Sequence, residues 1–171
     1  FDRKPSGQPT VLDLFAGCGG LSEGFRMAGF QLVYAVEILK APAESYEANF
    51  HCPVYQGPIE NFIEDLKSGK IRLSGIDVII GGPPCQGFSP LGKMTPGKER
   101  QEVQKSLNGL WSYFAETVRI LRPKAFVTEN VPEFLRSNEF QNYTNNIKKQ
   151  GYDVVCGTLS ADQYGVPQKR R

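Results

Sequence analysis

Histidine is almost missing from this chain, with one residue, His51, in 171. The four cysteines, Cys18, Cys52, Cys85 and Cys156, lie far apart and form no Cys-x-x-Cys pair. A structural zinc site takes four closely spaced Cys or His ligands, so no metal centre is expected. Scattered cysteines also read as reduced thiols of an intracellular protein, not as a disulfide framework. No apolar run is long enough to cross a bilayer, and no secretory hydrophobic segment stands out. A membrane partner is therefore not expected. An excess of either charge is missing as well, since 20 basic and 18 acidic residues leave a net +2. That balance is compatible with a nucleic-acid partner without pointing to one. Internal repeats and low-complexity segments are absent too. The length suits one domain, and a hydrophobic fraction of 40% is enough for a core.

What the chain does have is alternation. Thr10-Val11-Leu12-Asp13-Leu14-Phe15 reads as a strand, and Ala16-Gly17-Cys18-Gly19-Gly20 as a glycine-rich turn. A helix then follows with Leu21, Phe25 and Ala28 on one face, ending at Gly29. A second strand runs to Glu37, and Pro42 suits the first turn of a second helix. Val54-Tyr55 is a short third strand; Ile59, Phe62, Ile63 and Leu66 mark an amphipathic helix; residues 76–80 form a fourth strand. Residues 86–106 carry no regular pattern and predict a long loop, of the kind usually functional or disordered. Leu110, Phe114, Val118 and Leu121 share a helix face, Ala125-Phe126-Val127-Thr128 is a fifth strand, and Phe140, Tyr143 and Ile147 line another helix. Residues 152–159 predict one more strand. Strands and helices alternating at this spacing imply an α/β fold with a doubly wound, mostly parallel sheet.

Right-handed crossovers would put the ends of the first, second, fourth and fifth strands on one rim. Those ends carry the glycine turn, Glu37, Cys85 and Glu129. A glycine turn opening a helix lets a ligand approach backbone N–H groups. Gly17-Cys18-Gly19 fits the first half of G-x-G-x-x-G, but Ser22 stands at its third glycine. An acid ending the second strand can accept both hydroxyls of a ribose, or be an ordinary surface carboxylate. Gly81-Gly82-Pro83-Pro84 stops the fourth strand and presents Cys85 on a stiff elbow, as a nucleophile or as a buried structural thiol. Glu129 could be a catalytic acid or a structural carboxylate at a strand end.

Pro83-Pro84-Cys85-Gln86 resembles the nucleophile motif of the DNA (cytosine-5)-methyltransferases. Three further blocks, in that family's order, extend the resemblance over nearly the whole chain. Phe15-Ala16-Gly17-Cys18-Gly19-Gly20 looks like the S-adenosylmethionine motif, Glu129-Asn130-Val131 like the Glu-Asn-Val motif, and Gln168-Lys169-Arg170 like the start of the Gln-x-Arg-x-Arg block. The resemblance implies a Rossmann-like S-adenosylmethionine-dependent methyltransferase fold, incomplete over these residues. It implies that Phe15, Ala16, Gly17, Gly19, Gly20 and Leu21 hold the amino-acid end of S-adenosylmethionine and that Glu37 holds its ribose. Ile38 and Leu110 would pack on the two sides of the adenine, and Pro58, Ile59 and Pro84 would complete the cofactor site. Cys85 would add to cytosine, Glu129 would contact the ring N3, protonated through burial, and Arg170 would match the first arginine of its block.

The sequence departs from the family's pattern at Pro58, where Gly-Asp-Ile is common, at Leu39, where Asp is common, and at Lys105-Ser106-Leu107, where Asp-x-Arg often closes the loop. The second arginine of the last block would follow Arg171. Residues 1–171 are accordingly expected to be the catalytic, cofactor-binding portion of such an enzyme, truncated before its target-recognition region. The remainder, or a second polypeptide, would supply recognition. The implied reaction is methyl transfer to carbon 5 of a flipped-out cytosine in DNA, as in restriction-modification. The alternatives are an RNA cytosine-5 methyltransferase and a non-catalytic cofactor- or nucleic-acid-binding fragment.

Overall fold

β1 (Thr10–Leu14) is apolar except for Thr10 and Asp13, and it occupies the centre of a five-stranded sheet. The computed structural model describes residues 7–84 and 98–170, with the backbone alone described over 98–108. The chain divides into two compact units, Phe1–Pro84 with Ser112–Glu129, and Cys85–Trp111 with Asn130–Arg171.

The sheet belongs wholly to the first unit. Its other strands are β2 (Gln31–Glu37), β3 (Val54–Gln56), β4 (Val78–Gly81) and β5 (Ala125–Thr128), in the order β3-β2-β1-β4-β5, every pair parallel. The chain winds outward from β1 to β3, returns to the other side of β1 for β4, and continues to β5. The reversal lies between β1 and β4, the point at which α/β sheets hold ligands.

Parallel strands need crossovers that cover both faces, so their residues are apolar on both sides. Val11, Val78 and Ile80 face α1 (Gly20–Met27), which packs Leu21 and Phe25 against them. Ala35 lies on that same face and meets Tyr46 and Phe50 of α2 (Lys40–Phe50). The opposite face carries Tyr34, stacked on Phe62 of α3 (Ile59–Lys67), and Phe126, edge-on to Phe114 of α4 (Lys98–Leu121). Leu12, Leu14, Ile79, Phe62 and Phe114 are fully buried. At the amino ends of the strands Asp77 ties three elements. It accepts from the Thr10 N–H at 2.9 Å and pairs with the Lys124 ammonium at 2.7 Å. Its backbone carbonyl takes the Lys124 N–H at 2.8 Å.

β4 ends on Gly81, whose backbone packs against the Leu14 carbonyl so closely that a Cβ would collide with it. The rim at the switch point is therefore built from backbone held tightly together.

α4 begins at Lys98, inside the segment 86–106 expected to be a loop. The first ten residues of this helix are mostly Lys, Glu, Arg and Gln. These are strong helix formers with no apolar period, so a search for hydrophobic spacing passes over them. The part of that loop before Lys98 lies outside the described residues.

In the second unit α5 (Asn138–Lys149) is capped by Ser137, whose hydroxyl accepts the Phe140 N–H at 3.0 Å. Tyr143 and Ile147 are its buried residues. The Trp111 ring stacks on Phe134 with centroids 4.0 Å apart, and Tyr143 and Phe140 meet these rings edge-on. Phe134 sits in a short 3-10 turn, Pro132–Arg136. The strand expected over 152–159 does not form. Among the described residues that stretch pairs with no strand, and Val155 is 97% exposed. An apolar run becomes a strand only where a neighbouring ladder takes up its N–H and C=O groups.

Candidate active site

The register aligns the carboxyl ends of the strands. Leu14 lies opposite Val36 and Gly81, Gly81 opposite Thr128, and Glu37 opposite Gln56. Phe15, Ile38, Gly57, Gly82 and Glu129 therefore emerge along one rim of the first unit.

The turn after β1 is bent by positive φ at alternate residues, Phe15 (60°), Gly17 (54°) and Gly19 (90°). Phe15 carries this conformation without being glycine, a local strain of the sort found at ligand sites. Gly19 is closed in, since a Cβ there would strike the ring of Phe50. Gly17 and Gly20 face open space, with nothing within 4 Å of where a Cβ would stand. No side chain caps α1 at Gly19. The first N–H groups of a helix have no partner within it, so an open, positively polarised helix start faces the rim.

Glu37 is buried at the end of β2, and its carboxylate is anchored at both oxygens. Oε2 accepts the Gly17 N–H at 2.8 Å and Oε1 the Leu39 N–H at 2.8 Å. Each carboxylate oxygen has a second acceptor site, so a ligand's hydroxyls can still bond there. Ile38, next in sequence, is 61% exposed, an apolar side chain standing open on the rim. Pro58 precedes α3 and is exposed; Ile59 behind it has its side chain in the core.

Beneath the turn lies a polar cluster that sequence reading missed. Asp13 is buried and accepts the Ser22 hydroxyl at 2.6 Å; the Ser22 oxygen lies 2.7 Å from the Tyr46 hydroxyl. Burial pushes the Asp13 carboxyl up to about 7, against the opposing Ser22 hydrogen bond, and the negative charge of Glu37 adds to the rise. Burial likewise raises the Tyr46 phenol above its usual value. Two signals for this cluster were present in the sequence: a lone acid inside an apolar strand, and a serine at the third glycine position of the turn motif.

Glu129 follows β5 and its N–H bonds the Gly81 carbonyl at 3.1 Å. The Cβ position of Gly82 lies 3.4 Å from its Oε2, so this carboxylate stands over the segment that leads to Cys85. Glu129 is exposed, which corrects the expectation of a buried acid. It follows an edge strand that alternates exposed and half-buried residues, so less of the sheet surrounds it than a central position would give. Pro84 is exposed at the rim; Cys85 lies outside the described residues. Leu110, half-buried in α4, and Arg170, exposed, belong to the second unit. The Arg170 carbonyl accepts the Ala161 N–H at 2.8 Å. Thus Phe15, Ala16, Gly17, Gly19, Gly20, Leu21, Glu37, Ile38, Pro58, Pro84 and Glu129 come together on one unit, and Leu110 and Arg170 are not among them. A cleft of about 700 Å³ beside Cys18, Glu23, Arg26 and His51 shares Gly19 and Gly20 with the turn, and neither Glu37 nor Ile38 lines it.

A family model described as C-5 cytosine-specific DNA methylase matches residues 9–171. The type II methyltransferase M.HindV of Haemophilus influenzae is 40% identical over 159 residues, 93% of this chain and 49% of its own length. The type II methyltransferase M1.HphI of Haemophilus parahaemolyticus is 38% identical over 165 residues, 94% of this chain and 43% of its own. A crystal structure described as a DNA modification methyltransferase encoded within a prophage (E. coli) superposes with a TM-score of 0.62 at 32% identity, over 83% of this chain and 38% of that one. The S. pombe Dnmt2 methyltransferase shares the fold at 20% identity, with a TM-score of 0.70 over 95% of this chain and 47% of that one. The chain spans about half the length of the curated relatives it matches.

Proposed function

Because the chain belongs to the C-5 cytosine-specific DNA methylase family, we propose that it takes part in methyl transfer from S-adenosylmethionine to carbon 5 of cytosine in DNA. The observation that carries this reading is the convergence on one rim of an open glycine turn, an anchored Glu37 and a Glu129 set beside the segment that leads to Cys85. The residues present suit the methyl donor of this family. Open backbone at Gly17 and Gly20 and the uncapped start of α1 suit a carboxylate, the free acceptor sites of Glu37 suit a ribose, and exposed Ile38 suits the flat apolar face of adenine.

S-adenosylmethionine supplies an electrophilic methyl group on its sulfonium. Carbon 5 of cytosine is too poor a nucleophile to take that methyl directly. The Cys85 thiolate adds to carbon 6, and the ring electrons move toward N3 and carbon 5. The Glu129 carboxyl, in its protonated form, would donate a hydrogen bond to N3 and offset the charge that builds there. Methyl transfer to carbon 5 would leave S-adenosylhomocysteine, and loss of the carbon 5 proton to water with expulsion of the Cys85 thiolate would restore the aromatic ring. A base stacked in duplex DNA cannot reach a thiol at this rim, so the target cytosine is flipped out. Residues 1–171 form the cofactor and catalytic portion in this reading, and the additional length found in the relatives is the seat of sequence recognition.

The test is incubation of the protein with S-adenosylmethionine and DNA or RNA containing 5-fluorocytosine. A covalent adduct with DNA, mapped to Cys85, is expected. An adduct with RNA alone would move the substrate, and no adduct with either would overturn the reading. Glu37→Ala is expected to weaken S-adenosylmethionine binding by about 1–3 kcal/mol, from loss of a charged acceptor and release of the Gly17 and Leu39 N–H groups. Calorimetry checks this, and an unchanged dissociation constant would remove Glu37 from the site.

A further inference from the structure

We propose that Asp13, Ser22 and Tyr46 form a positioning network for the methyl donor, fixing where the glycine turn and the first turn of α1 meet its amino-acid end. The inference rests on the reading of the rim given above and adds a part of its machinery that touches no ligand.

The three residues come from three elements. Asp13 is the next-to-last residue of β1, Ser22 the third residue of α1, and Tyr46 lies in the middle of α2. A single hydroxyl, Ser22 Oγ, joins the other two at 2.6 and 2.7 Å. The turn from Phe15 to Gly19 is the loop that this tie closes. The tie holds both of its ends, Glu37 holds Gly17 from the side, and the rings of Tyr46 and Phe50 close against Gly19. With those anchors fixed, the outward side of the turn, at Gly17 and Gly20, is left open.

The choice of serine follows from this arrangement. In a dinucleotide-binding turn the third glycine serves to let helix and strand pack closely. Here that position carries a hydroxyl because the strand presents a buried carboxyl and α2 presents a phenol, and a buried polar group left without a partner is expensive. The Ser22 hydroxyl satisfies both. Asp13 has no titratable neighbour across the sheet, where its register partners are Ala35 and Ile80. The charged groups of α1 and α2, including Glu23, Arg26, Lys40, Glu44 and Glu47, lie at the surface. Glu37 is the charge that acts on it. The network is thus insulated from solvent and coupled to the cofactor residue Glu37.

Tyr46→Phe and Ser22→Ala preserve the ring and the small side chain and remove the hydrogen-bonded chain. Each is expected to raise the KM and the dissociation constant for S-adenosylmethionine about five- to thirty-fold, the equivalent of one or two lost buried hydrogen bonds, with kcat at saturating cofactor changed less than about threefold. A lowered melting temperature with unchanged KM in both variants would mean that the network only holds the fold, and would overturn the proposal. So would a fall confined to kcat. If the unsubstituted protein does not bind S-adenosylmethionine, the functional reading itself fails; if it binds and the variants bind equally well, only the positioning role fails.

Discussion

Cys85→Ser is expected to leave S-adenosylmethionine affinity within about twofold and to reduce methyl transfer by roughly 10⁴-fold or more, the scale on which removal of a covalent nucleophile acts. A cysteine is a few per cent thiolate near neutral pH and a strong nucleophile in that form, whereas a serine hydroxyl stays protonated without a dedicated base. The glycine turn, Glu37 and Ile38 are separate from this residue in sequence, so cofactor affinity is the internal control for folding. The measurement is single-turnover transfer of labelled methyl, paired with adduct mapping on 5-fluorocytosine DNA. Cys18 and Cys156 are exposed free thiols and Cys52 is buried. An adduct at Cys18 or Cys156, or turnover surviving in Cys85→Ser, would overturn the assignment of the nucleophile.

Stability is expected to fall as the pH rises from about 4 to about 7, and Asp13 is the cause. In the unfolded chain its carboxyl titrates at 3.8, whereas in the fold burial holds it up to about 7. The folded state therefore keeps a proton that the unfolded state gives up. Its contribution is fully present below 3.8 and is lost as the pH rises through about 7. A difference of this size corresponds to at most about 4 kcal/mol. Other carboxylates act in a different window. The Arg119 and Lys67 partners lower Glu116 to about 2, and Lys124 and Thr10 lower Asp77, so their stabilisation is lost only as the pH falls below the usual carboxylate range. Asp13→Asn removes the titrating group and keeps an acceptor for Ser22. Urea titrations at pH 5 and pH 8 should show a marked loss for the unsubstituted protein and little for Asp13→Asn. Parallel losses in the two would show that Asp13 ionises normally inside the fold.

The order of elements could be read from the sequence because the strands of a parallel sheet are apolar on both faces and the helices between them carry a 3.6-residue period. β1, β2, β3 and β5 fall within a residue or two of their expected limits, and β4 begins at Val78, two residues later than its apolar run suggests. Two expectations failed for the same reason, that spacing of apolar residues reports burial and nothing else. The first turns of α4 are built from Lys, Glu, Arg and Gln, which form helix without an apolar stripe, and 152–159 carries an apolar run typical of a strand but finds no ladder among the described strands.

The glycine turn, Glu37, the elbow before Cys85 and Glu129 were legible because each breaks a local rule: a glycine run after a strand, an acid at a strand end, paired prolines before a thiol. Such breaks are properties of neighbouring residues and survive without coordinates. How these features are held was not legible. Glu37 secures the turn through Gly17 and Leu39 besides offering acceptors to a ligand, Glu129 stands exposed, and Asp13 meets Ser22 and Tyr46 in the core. Apart from the local Leu39 bond, each depends on contacts between residues 9 to 24 positions apart or on the depth of a strand in the sheet. Sequence alone determined which chemistry-bearing residues the chain carries and on which ends of which elements they fall, since local propensity and spacing set those. Tertiary structure decided which of them are buried, which are tied to one another and which remain free for a ligand, because burial and hydrogen bonding arise only when distant segments pack together.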